Sequence, residues 1–173
     1  MGFVNAHFVA FATDFGATAV QGAIALATVG VSGLAGGLCF GFLADKFGRR
    51  PLLAIAYGMR AIGYGVLLMA GNLPIAILGV VIIGSSWTSV ISLTGTVTSD
   101  EFGLRRLGTI YGTMLMVMPF GASSAVWLAG KIYDTNGNYD LAMWISLAMG
   151  VIAAAAVGMP NTGLSKKLWS PTM

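Results

Sequence analysis

The chain has 173 residues, of which 57% are hydrophobic and only 9% charged, and its mean hydropathy is +0.85. That balance excludes a water-soluble globular domain. The net charge of +3 comes from Lys and Arg gathered at a few points with few aromatics among them, which argues against a nucleic-acid partner, and the single cysteine, Cys39, excludes internal disulfides and thiolate metal sites.

Apolar runs of about 20 residues can cross the hydrocarbon of a bilayer. Such runs, with the Gly, Pro and Asn breaks between them, divide the chain into five full spans preceded by a short one. The short one runs from Met1 to about Thr13 and ends at Asp14. It lacks the basic n-region and small-residue cleavage site of a secretory signal, so it reads as a helix entered part-way. The second span covers Ala17 to Ala44. The third covers Pro51 to Met69, interrupted only by Arg60, and a turn at Gly71, Asn72 and Pro74 precedes the fourth, from about Ile75 to Thr98. The fifth runs from about Leu107 to Ala129 and the sixth from Leu141 to Met159, where Pro160, Asn161 and Gly163 end it. Residues 1–159 thus make a six-helix bundle and residues 160–173 a tail. Threading the spans back and forth puts Lys46, Arg49, Arg50, Arg105, Arg106, Lys166 and Lys167 on one side and leaves Lys131 alone in the loops of the other. The positive-inside rule makes the first side, with the tail, cytoplasmic.

Several residues stand out against this apolar background. The loop GFLADKFGRR, Gly41 to Arg50, sets an Asp and three cations between two spans. Gly41 and Gly48 suit close approach and a sharp turn, Asp45 suits capping the next helix or pairing with an Arg, and Arg49 and Arg50 suit anchoring to anionic headgroups. Gly33, Gly37 and Gly41 fall at i, i+4 and i+8, a stripe for close helix packing or for a backbone surface along a transport path. Arg60 is the only charge well inside a span, about two and a half turns past Pro51. A charge that deep needs a partner, with Asp45 and Asp100 as candidates, or else meets a solute or proton. Tyr57 and Tyr64, at i−3 and i+4, share its face.

His7 and Asp14 are two helical turns apart and would share one face if the first helix runs that far, a pattern that could carry protons; capping and solvation at the helix end explain Asp14 equally well. On the fourth span Ser85, Ser89, Ser92 and Thr96 follow a spacing of four, three and four, with Trp87 and Thr88 close by. Such a stripe avoids lipid, either by hydrogen bonding between helices or by meeting a solute. There is no HExxH, CxxC, phosphate-binding GxxxxGK or Ser/His/Asp set, so no enzyme activity, cofactor or metal is predicted.

The loop GFLADKFGRR resembles the G-x-L-a-D-r-x-G-r-r loop found between the second and third helices of each six-helix half in the major facilitator superfamily of secondary transporters. HFVAFATDFG (His7 to Gly16), SDEFGLRRLGTIYG (Ser99 to Gly112) and GKIYDTNGNYD (Gly130 to Asp140) are similar to segments of one branch, the monocarboxylate transporters and oxalate/formate antiporters. Their order and spacing resemble the C-terminal half, from the end of the seventh helix through the twelfth. The resemblance implies an all-α integral membrane protein, a six-helix half, with its first helix truncated, of the twelve-helix major facilitator fold. The two halves of that fold hold substrate between them near the midplane.

The resemblance carries further expectations. The partners are the missing N-terminal six-helix half, the lipid bilayer and a small organic solute, a monocarboxylate among the candidates. Transport is by alternating access with a proton as coupling ion, in the plasma membrane. Gly41, Asp45, Gly48, Arg49 and Arg50 become a cytoplasmic gating loop. Ser85, Thr88, Ser89, Ser92, Tyr111 and Met118 become candidates for the substrate pocket, with Met114 and Ser123 near a kink at Pro119, and His7 and Asp14 become candidates for proton coupling. Arg60 lies on a helix that is peripheral in the family, which favours a structural role. The chain departs from the branch at Gly37, where these transporters carry an arginine, and at Met118, where the oxalate/formate antiporters carry a lysine. A dianion is therefore not expected, and a monoanion would find its charge partner in the other half. The rival reading is a small, non-transporting membrane interaction or assembly protein, discriminated by whether the reading frame continues upstream of Met1.

Overall fold

The computed structural model describes residues 2–159, and all regular structure there is helical. The elements are α1 (Gly2–Thr13), α2 (Ala19–Phe47), α3 (Arg49–Leu68), α4 (Leu73–Phe102), a single 3-10 turn (Leu104–Arg106), α5 (Leu107–Asn136) and α6 (Asp140–Gly158). Five of these, α2 to α6, are long and apolar enough to cross a membrane, whereas α1 has 12 residues. The predicted tail, residues 160–173, lies outside the described residues.

Each break has a local cause. Thr18 and Gln21 form a reciprocal cap on α2, with Gln21 N donating to Thr18 Oγ1 at 3.2 Å and Thr18 N donating to Gln21 Oε1 at 2.9 Å. Asn72 Oδ1 accepts from Ile75 N at 3.1 Å and starts α4, with Pro74 in its first turn. Gly48 alone separates α2 from α3, at φ 94°, a backbone state that glycine reaches without penalty. Helices α4 and α5 run on to Phe102 and Asn136, past the predicted limits of Thr98 and Ala129. Apolar runs mark where hydrocarbon ends, not where the helix ends; Gly103 and Gly137, both at positive φ, end these two.

Helices α2, α3, α4 and α6 form a slab in which α4 packs between α2 and α3, and α3 between α4 and α6. Small residues set the spacing. At Gly36 of α2, an added Cβ would collide with the Ser85 backbone of α4. Gly63 and Gly79 oppose each other across α3 and α4, each added Cβ lying 3.1 to 3.2 Å from the other's carbonyl oxygen. Of the predicted glycine stripe, Gly33 and Gly37 do face Thr88 of α4, but Gly41 meets nothing within 4 Å, so the close approach attributed to it does not occur. Phe3, Phe8, Phe11, Leu67 and Tyr139 make one core at the α1 end, and Phe40, Ala44, Leu52, Leu53 and Leu93 make a second at the opposite end. Val31, Leu34, Leu38 and Phe42 of α2 are all more than two-thirds exposed, a surface suited to lipid or to other membrane helices.

Candidate functional site

At one end of the bundle the loop arginines, which begin α3, reach two other helices. Arg49 Nη1 pairs with Asp100 Oδ1 at 2.7 Å, and Arg50 Nη1 lies 3.5 Å from Glu101 Oε1. Arg50 also donates from Nε to Val157 O at 2.9 Å and from Nη2 to Met159 O at 2.8 Å, so it satisfies carbonyls at the end of α6. Both arginines are thus engaged by protein, where the sequence suggested headgroups. Asp45 is exposed and, among the described residues, joins no ion pair; α3 has no side-chain cap, which removes the capping role foreseen for it.

At the other end, His7 Nε2 lies 3.1 Å from Val126 O and Nδ1 lies 3.4 Å from the Tyr139 hydroxyl. A carbonyl only accepts, so Nε2 donates to Val126 O, while Nδ1 faces the Tyr139 hydroxyl. Asp14 falls in the turn just after α1, where the Tyr133 hydroxyl lies 3.5 Å from Oδ1. The Tyr133 and Tyr139 rings stack at 4.4 Å. His7 and Asp14 therefore do not touch; two tyrosines that the sequence reading overlooked stand between them. Burial, then Tyr133 and the carboxylates of Asp14 and Asp134, holds the Tyr139 hydroxyl above its ordinary pKa, which keeps it a donor.

Between these ends the hydroxyl stripe of α4 is divided. Ser89 is buried, its hydroxyl donating to Ser85 O at 3.0 Å, and Ser85 donates to Ile82 O at 2.8 Å while bordering a groove formed mainly by α2. Thr88 lies against Gly33 and Gly37, Ser92 is exposed, and Thr96 donates to Leu93 O at 3.0 Å. These hydroxyls do not line one cavity. Tyr111 and Met118 do share one: a space of about 370 Å³ between α4 and α5, closed by Tyr57, Thr94 and Met114. The Tyr111 hydroxyl donates to Ile91 O at 2.8 Å and ties α5 to α4. Helix α5 runs as one element through Pro119, and Ser123 borders a separate, open pocket with Trp127.

Arg60 does not pair with Asp45 or Asp100; the latter is taken by Arg49. Its guanidinium lies 5.2 Å from the Trp87 ring and 5.7 Å from the Tyr57 ring, a cation-π arrangement that a carboxylate search in the sequence misses. Among the described residues no group of three or more His, Cys, Asp or Glu could hold a metal ion.

The sequence pattern of the Major Facilitator Superfamily matches residues 1–167. Among similar proteins are the uncharacterised MFS-type transporter YcxA of Bacillus subtilis, 26% identical over 172 residues, and monocarboxylate transporter 12 of Homo sapiens, 26% identical over 142 residues. A third is the efflux pump dotC of Dothistroma septosporum, 31% identical over 114 residues. The matches cover 92%, 79% and 66% of this chain but only 40%, 27% and 20% of those proteins. An efflux pump and a monocarboxylate transporter match at comparable identity, so the likeness spreads across the family rather than singling out one branch. With five membrane-length helices and a short first one matching over nearly its whole length, the chain belongs to the Major Facilitator Superfamily as an integral, multi-pass membrane protein, its six helices forming one half of that family's twelve-helix fold.

Proposed function

We propose that the chain is half of a secondary transporter that carries a small organic monoanion, a monocarboxylate, across the plasma membrane by alternating access, coupled to a proton. The carrying observation is the cavity of about 370 Å³ between α4 and α5, a volume suited to a small solute, with Tyr111 and Met118 on its wall. An N-terminal half would complete the path, and the exposed Ser92 is open to it. The Gly41 to Arg50 loop, with Arg49 and Arg50 holding α4 and α6, serves as the latch at the cytoplasmic mouth. Tyr139 beside His7, and Tyr133 beside Asp14, give the proton a set of polar groups at the outer end.

Uptake of radiolabelled lactate and pyruvate into proteoliposomes, with and without an imposed pH gradient, tests this reading on the chain joined to its upstream sequence. Gradient-driven uptake that needs both halves supports it. Uptake indifferent to the gradient removes the proton, and no uptake of any carboxylate favours the non-transporting interaction protein.

A further inference from the structure

Arg60 stands in the middle of α3, held between the rings of Tyr57 and Trp87. Its Nε and Nη2 are both buried and neither has a hydrogen-bond partner. Those two N–H groups form the side-on edge of the guanidinium, the edge whose spacing matches the two oxygens of a carboxylate. A half-buried cation with idle donors, inside a membrane protein and without a carboxylate beside it, is destabilising unless something else satisfies it.

Something else has room. Arg60 borders a cavity of about 300 Å³ between α3, α5 and α6, with Tyr64 and Ser146 on the same walls and Ala125, Ile145 and Met149 completing an apolar remainder. Tyr57 borders this cavity and also the one that holds Tyr111 and Met118, so a single ring stands between the two spaces. The wall they share with lipid or with further helices is α5, of which only Ala129 and Ile132 are buried.

We propose that Arg60, with Tyr57, Tyr64 and Ser146 around it, is the seat for the carboxylate of a short-chain monocarboxylic acid. The assignment rests on the transporter reading above and places the charge partner of the solute in this half. The charge count sets the class of ligand. One cation and no acidic residue border the cavity, so a monoanion neutralises the site, whereas a dianion would leave net charge in hydrocarbon. The charge selects an anion; turning the Nε and Nη2 edge, buried here, toward the cavity would let it hold a carboxylate, with the apolar walls taking the rest of a short acid.

The test is equilibrium binding of radiolabelled lactate and pyruvate to the chain in phosphatidylcholine nanodiscs, and to the longer protein carrying both halves, with neutral lactamide, inorganic phosphate and octanoate as competitors. Saturable lactate binding is expected, displaced by pyruvate and not by lactamide or phosphate. Arg60→Lys keeps the charge but loses the paired edge, and weakens binding roughly tenfold; Arg60→Gln abolishes it; Ser146→Ala weakens it several-fold. Lactate also changes Trp87 fluorescence in a background where Trp127, Trp144 and Trp169 are replaced by Phe, and this response disappears in Arg60→Gln. If Arg60→Gln binds lactate as the parent does, the seat is wrong while the monocarboxylate reading survives. If neither the chain nor the longer protein binds lactate or pyruvate, both fail. Displacement of bound lactate by octanoate at far lower concentration than by pyruvate overturns the short-chain assignment in favour of a lipid-derived acid. Should Arg60→Gln not stay monodisperse, Arg60→Lys and Ser146→Ala decide the matter.

Discussion

Helices α4 and α5 each have 30 residues and both are apolar enough to span a membrane, yet α4 buries ten of its residues and α5 two. Hydropathy does not separate them. The difference lies in where small residues meet backbone. On α4, Gly79 meets Gly63 of α3, Gly84 meets Val29 and Ser32 of α2, and the Ser85 backbone meets Gly36. The glycines of α5 at positions 108, 112 and 121 meet nothing within 4 Å. In lipid, an apolar side chain gains little by turning inward, so close backbone approach and interhelical polar contacts, not oiliness, decide which helix is held.

Breaking that contrast starts with its tightest contact. Gly36→Ala adds the smallest possible side chain against a backbone that cannot yield, and is expected to lower stability by about 1–3 kcal/mol in a detergent unfolding titration. The matched change Gly112→Ala on α5 is expected to be neutral or to stabilise by up to about 1 kcal/mol. Equal losses at both sites would show that α5 is as tightly held as α4. Arg50→Ala removes charged hydrogen bonds to two carbonyls of α6 and is expected to cost about 1–2 kcal/mol, with hydrogen exchange faster in the last turn of α6.

Tyr111→Phe deletes the hydroxyl that ties α5 to α4 and is expected to cost about 1 kcal/mol. Amide exchange should rise in α5 and not in α4; a rise in both would mean that the two move together. The smallest effect belongs to Arg49 and Asp100, both about half exposed. A double-mutant cycle there should give a coupling below about 1 kcal/mol, reduced further at high salt.

The spans are legible because membrane-length apolar runs and Gly, Pro and Asn breaks are local signals; the caps at Thr18 and Asn72, which fix where α2 and α4 start, appear only in the structure. Ends drawn at Thr98 and Ala129 were short because polar residues can continue a helix beyond hydrocarbon until a glycine stops it. The site was less legible. A spacing of four, three and four on α4 aligned the hydroxyls but could not say that Ser89 would be covered, since neighbouring helices decide that. Charge alone points from Arg60 to carboxylates, although Tyr57 shares its face at i−3. Trp87 and Ser146 come from other helices, and no spacing within α3 reveals them. Gly36 was passed over because it falls outside the i, i+4 register of Gly33, Gly37 and Gly41.

Arg50 starts in α3, reaches the acidic end of α4 and grips the carbonyls that finish α6. A single side chain thereby acts as a rivet through three helix ends. Tilting α6 away at this end would break its bonds from Arg50 Nε and Nη2, and tilting α4 away would break the Glu101 contact. One side chain thus couples the start of α3 to the ends of two helices that are far from it in sequence, so a shift of any of the three is felt at the loop.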